Sequence, residues 1–242
     1  MPITDAWRKR FEREFAKALA AFFAGQQRGV VNAAKEGEIA TTDPVVLRKT
    51  MEPWLIAAAV KGSEVAMEPI IAIGLGFDTL LVNEAAVRYA QERAAQAVTQ
   101  IDGTTRRMIQ QKVSQWFESG GTLKELTESL APTFGYDRAE MIAVTEVTDT
   151  LAGSAEESWR EVNRQYGTAV VEGKVWHTAA DERVCPICAP LDGQVVGLNE
   201  DFVHPGGSGL AARYEGRRFK RPPAHPRGRC TVGAALLRDA KR

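Results

Sequence analysis

Trp7, Phe11, Phe15, Leu19 and Phe22 recur at a near four-residue step, which lines one face of a first helix and leaves Arg8, Arg10, Glu12, Arg13 and Lys17 mostly on the others. Such a stripe either packs into a core or docks on a partner, and core packing is its ordinary use. Pro44 suits a helix's first turn, where a missing amide proton costs nothing, so a second helix is predicted after Thr42 or Asp43, running toward Val60. Gly74 and Gly76 interrupt the apolar stretch 69–77. Alanine-rich residues 78–98 and then residues 105–118 predict a third and a fourth helix, closed by the Gly120-Gly121 break. Thr122-Leu123-Lys124-Glu125 matches a capping box, in which hydroxyl and carboxylate each satisfy an amide of the other; the short helix it opens is expected to end near Pro132. Asp137 can cap a longer helix from Arg138 to about Gln165, with Met141, Val144, Val147 and Leu151 along one side and Gly153 as its weak point. Short helices joined by glycine turns suggest a bundle.

Beyond Gly167 the pattern changes. Residues 169–171 and 174–178 are β-type, and Pro and Gly become frequent through Pro226. The expected fold class is therefore α+β: a mainly helical N-terminal region, residues 1–134, followed by a small loop-rich α+β domain, residues 135–242.

With 242 residues, 44% of them hydrophobic, the chain can build one large domain or two modest ones around a buried core. No uninterrupted apolar run reaches the roughly 18–20 residues that span a bilayer. The first five residues also lack a basic stretch followed by an apolar one, so the chain reads as cytosolic and free of membrane. Its 31 Lys and Arg balance 31 Asp and Glu, but unevenly. From Arg213 to Arg242 ten bases face two acids, Glu215 and Asp239, leaving the rest of the chain acidic. A basic tail of this kind can make weak contact with double-stranded DNA through counterion release, or can be a solvated surface or a partner for acidic neighbours.

Every cysteine and histidine falls between His177 and Cys230. Cys185-Pro186-Ile187-Cys188 has the knuckle spacing of structural zinc sites, and His225 and Cys230 return close together, giving a possible Cys3His tetrahedron. Residues 179–229 are poor in large apolar side chains, so burial does little to offset the entropy of ordering their loops. A zinc ion held by Cys185, Cys188, His225 and Cys230 would close that excursion, and four protein ligands leave no position for water: such a site is structural, with no catalytic residue. The plainer alternatives are buried thiols at Cys185 and Cys188 and a core-facing strand residue at Cys230. His177 and His204 read as surface, core-edge or loop histidines, although either can replace His225. Asp181 and Arg183 suggest an ion pair before Cys185. Three cysteines cannot all pair within one molecule, and Pro186 with Ala189-Pro190 favours a turn over the helix start of a redox motif.

The residues also carry a family resemblance. Residues 174–178 (KVWHT), 181–188 (DERVCPIC), 191–193 (LDG), 222–226 (PPAHP) and Arg229-Cys230, with 138–146 (RAEMIAVTE) before them, resemble the C-terminal signature of the phage Mu F-like minor head proteins, the phage head morphogenesis family. The similarity spans roughly residues 122–232. It implies a virion protein of few copies that sits inside the head near the portal, after passing through the host cytoplasm during assembly. Its implied roles are head assembly and DNA packaging or delivery, and its implied partners are the portal protein and the major capsid or scaffolding protein. The helical region would dock on those head proteins. The family often has a second cysteine two residues before the last one, where this chain has Gly228, and usually has Arg where Val144 precedes Thr145. Two other readings stand beside it: a treble-clef nuclease with a histidine base and an open metal position, and a cellular zinc-stapled interaction module.

Overall fold

The computed structural model describes residues 5–40 and 42–236. Residues 1–4, read above for a leader, and Arg238, Asp239, Lys241 and Arg242 of the basic tail lie outside them. The chain is mostly helical, with a small sheet region toward its C-terminal end. Helix α1 spans Asp5–Lys35, α2 Pro44–Ala72, α3 Thr79–Ser119, α4 Leu123–Phe134 and α5 Tyr136–Tyr166. Strands β1 (Val171–His177), β2 (Val195–Gly197), β3 (Phe202–Val203), β4 (Arg218–Phe219) and β5 (Thr231–Leu236) follow.

The helices are longer and fewer than a bundle of short segments. The helix begun at Pro44 passes Val60 and continues to Ala72, and the third and fourth expected helices are one 41-residue α3 that runs through Gly103. A helix-interior glycine costs only about 1 kcal/mol, which the intact hydrogen-bond ladder on either side absorbs. Asp137, expected to cap the last helix, lies instead in the first turn of α5, which begins at Tyr136; other caps form at the starts of α2, α3 and α4. Asp43 Oδ1 accepts from the amides of Val45 and Val46, and Asp78 Oδ1 from those of Leu80 and Leu81. The Thr122 and Glu125 capping box forms with both reciprocal bonds, at 3.2 and 2.6 Å.

The chain forms two compact units, and α2, α3 and α5 supply residues to both. One comprises Asp5–Trp54 and Glu92–Ala143. In it the aromatic stripe of α1 is core: Phe15, Leu19 and Phe23 are buried, and Trp54 stacks on Phe15 and meets Phe11 edge-on. Phe23, not Phe22, takes the last buried position. Arg8 and Glu12, placed by the pattern on the polar faces, are buried as an ion pair at 2.7 Å.

The other unit comprises, among the described residues, Leu55–Gln91 and residues 144–236. Its larger core gathers Met67, Ile70, Val82, Trp159, Val162 and Val171, so β1 lies on the helices. Gly153 is no weak point here. A Cβ at this position would fall 2.0 Å from Cζ of Tyr89, so the glycine is what lets the Tyr89 ring cross α5. The ring ends at a buried charge network. Tyr89 donates to Asp149 at 2.8 Å, and Glu156, fully buried, binds Lys174 of β1 at 3.2 Å, Arg221 at 2.9 Å and Arg160 at 3.3 Å. Burial lowers the Lys174 pKa, opposed by Glu156. In the sheet, β1 is central and antiparallel to both β2 and β5, with Trp176 opposite Val232 and His177 opposite Thr231. Strands β3 and β4 form a separate antiparallel pair.

Candidate metal centre

Two arms converge at the end of the sheet. The first leaves β1 at His177. Thr178 donates both its amide and its hydroxyl to Asp192 Oδ1, at 2.7 and 3.0 Å, and the Gly193 amide returns to the Trp176 carbonyl. Between these anchors Cys185 O accepts from the amides of Cys188 and Ala189, both at 3.0 Å, forming the knuckle turn its spacing implied. A second core lies beneath it, made of Trp176, Cys188, Leu191, Phe202 and Cys230.

The second arm comes from the Pro222-Pro223 segment and enters β5 directly after Cys230. Helix α5 holds it. Thr145 Oγ1 accepts from the Arg227 amide at 3.0 Å, and Thr148 Oγ1 donates to the Gly228 carbonyl at 2.7 Å. Gly228 itself is tightly enclosed: a Cβ there would lie 2.7 Å from Pro223 Cβ and 3.0 Å from the His225 carbonyl. A side chain at this position, cysteine included, requires the arm to move.

His225 Nε2 lies 3.0 Å from Cys185 Sγ and 3.3 Å from Cys188 Sγ, and the three ligand atoms all fall within 4.8 Å of one another. His225 Nδ1–H donates to the Pro226 carbonyl at 2.8 Å, which fixes the tautomer and turns the Nε2 lone pair toward the two sulfurs. Cys230 stands outside that group of three. It is 4% exposed, hydrogen-bonds with Cys188, and lines the same cavity of about 40 Å³, together with Arg183 and Arg229. The hydrogen bond with Cys230 and then burial push the Cys188 thiol far above its ordinary range. A thiol so placed keeps its proton unless a cation arrives to stabilise the thiolate.

The donor set therefore fits a soft divalent cation. Tetrahedral zinc places sulfur and nitrogen ligands about 3.6 Å apart, a few tenths of an ångström wider than the distances here, and the cavity exceeds the ~10–15 Å³ that one small species needs. No disulfide joins the cysteines among the described residues.

The other two histidines are elsewhere. His204 is 1% exposed and uses both ring nitrogens: Nδ1 accepts from the Gly206 amide at 3.0 Å and Nε2–H donates to the Ile187 carbonyl at 2.9 Å. It is a latch on the back of the knuckle and does not replace His225. His177 is exposed on β1, its ring lying over Gly233. Asp181 does meet Arg183, at 3.2 Å, but its stronger partner is Arg229, bound at 2.7 and 2.8 Å. The Arg229 guanidinium holds the Asp181 carboxyl well below the usual carboxylate range.

A family model described as Phage Mu protein F like protein matches residues 107–233, a little over half of the chain and the whole of both arms. The chain belongs to this family. Membership points to phage head morphogenesis and to a structural protein with capsid-assembly partners. No curated protein and no solved structure matches the chain. Among the described residues, no helix is long and apolar enough to cross a membrane.

Proposed function

We propose that this chain is a minor head protein of a tailed bacteriophage or prophage. It is located inside the head near the portal and passes through the host cytoplasm during assembly. In this reading residues 135–242 are the head morphogenesis domain, and residues 1–134 dock on the portal and on the major capsid or scaffolding protein. The observation that carries it is the family match over residues 107–233, which contains every residue of the two converging arms. Zinc bound by Cys185, Cys188, His225 and Cys230 would be a structural staple, cross-linking arms that share only a small apolar core. The fully engaged ring of His204 supports a structural over a nucleolytic role, since a general base needs a free nitrogen lone pair.

Contact with DNA is at most weak in this reading. Of the basic segment, Arg218, Arg221 and Arg229 are already paired with Asp201, Glu156 and Asp181. Their charge contributes correspondingly less to phosphate binding.

The test is removal of the gene from an inducible prophage, followed by induction. Defective or non-infectious heads, restored by the wild-type gene in trans, are the expected result. A normal yield of infectious, DNA-filled particles contradicts the proposal.

A further inference from the structure

The turn between α2 and α3 carries an exposed apolar tip. Ile71 is 59%, Leu80 65% and Leu81 41% exposed. The tip is built, not frayed. Gly74 ends α2 at φ +80°, Tyr166 Oη donates to the Gly76 carbonyl, Gln165 Oε1 accepts from the Asp78 amide, and Leu75 and Phe77 pack on the core beneath. Holding large apolar side chains in water on a fixed frame marks a docking surface.

Charge selects the occupant. Between Lys61 and Arg88 the sequence contains no Lys or Arg, while Asp78 and Glu84 are exposed beside Leu80 and Leu81. Phosphate backbones and anionic lipid are repelled by such a rim. Its complement is an apolar surface edged with cations, and the same chain supplies one. On the β3–β4 pair and its connecting loop, Val203 is 39% and Leu210 46% exposed; Arg213 and Arg217 of the loop and Lys220 just after β4 are exposed as cations against one exposed acid, Glu215, while Arg218 is held by Asp201.

We propose that the α2–α3 tip of one copy docks on the β3–β4 face of a second copy. The two surfaces differ, so the contact is head-to-tail and adds further copies without closing on itself unless the rotation makes a ring. Both surfaces belong to one compact unit, which keeps their geometry fixed within each copy. The proposal does not depend on the metal.

The experiment is sedimentation velocity of the full chain over a concentration series, at low and high salt. Reversible association that weakens with salt is expected, because acidic and basic rims face each other across it. Leu80→Ser with Leu81→Ser removes the tip, and Arg213→Glu with Arg217→Glu reverses the face; each double variant is expected to remain monomeric. Mixed together, the two variants retain one good tip and one good face between them, so they are expected to form heterodimers and nothing larger. That complementation also shows that both variants are folded. A wild-type chain monomeric throughout overturns the proposal, as does association that survives either double variant. Flotation of the wild-type chain with neutral lipid vesicles, lost in the tip variant, also overturns it by making the tip a membrane contact.

Discussion

Asp181 and Arg229 form a two-point ion pair, Oδ2 to Nη1 at 2.7 Å and Oδ1 to Nη2 at 2.8 Å, joining the loop that leads to Cys185 to the residue beside Cys230. The two candidate ligand arms are thus clamped next to their cavity by a planar, bidentate contact that lysine cannot reproduce.

Asp181→Asn is expected to weaken metal affinity by about 10–100-fold, the usual cost of losing a group that orients ligands. Competition with a chromophoric chelator measures it. The pH dependence separates two causes. The Asp181 pKa is depressed in the folded protein, chiefly by Arg229, so the clamp's contribution is complete above the ordinary value of about 3.9 and is lost only as pH falls through the depressed value. Release of metal on mild acidification must then come from protonation of the ligands themselves. Wild type and Asp181→Asn are expected to show release curves of the same shape above about pH 5, offset in affinity alone.

Cys185→Ser or Cys188→Ser is expected to loosen residues 179–229 while α1 and the aromatic packing around Trp54 persist. Limited proteolysis resolves the difference, with new cleavage confined to the loops. With free metal a thousandfold above its dissociation constant, its removal by a chelator should lower apparent stability of the C-terminal region by about 4 kcal/mol. Unchanged protease resistance of the variants argues against a staple.

Gly153→Ala should destabilise by about 1–3 kcal/mol despite alanine's better helix propensity, because the added methyl meets the Tyr89 ring. Urea unfolding measures the cost, and pairing it with Tyr89→Ala should relieve much of it. If the two substitutions add independently, the ring is not what the glycine accommodates.

Glu156→Ala removes the acid that Lys174, Arg160 and Arg221 share in a buried site. Leaving those cations without it is expected to cost about 3–5 kcal/mol, read from the same unfolding curves. A cost below 1 kcal/mol would mean that the cluster is solvated.

Local chemistry was readable along the chain; pairing across it was not. The Thr122 capping box, the helix start after Asp43 and the α1 aromatic stripe rest on contacts a few residues apart or on one face, and each forms. The break expected between residues 98 and 105 does not occur, because a glycine such as Gly103 stops a helix only when the chain also gains a turn there, and α3 gains none. Within the candidate site, spacing identified Cys185, Cys188 and His225, which do converge. The partners that place them did not announce themselves. Arg229 is 48 residues from Asp181, Thr148 is 80 from Gly228, and nothing local distinguishes His204 as a latch from His225 as a donor. For His204 the only available signal was its place before Pro205-Gly206, a turn that returns an amide to the ring.

The zinc staple is tested by the metal content of the purified chain, measured by mass spectrometry beside Cys185→Ser, Cys188→Ser, His225→Ala and Cys230→Ser. About one equivalent of zinc per chain is expected in the wild type, with loss of tight binding in all four variants. A wild-type protein free of metal when prepared without chelator, or a Cys230→Ser variant that retains its full equivalent, would contradict it.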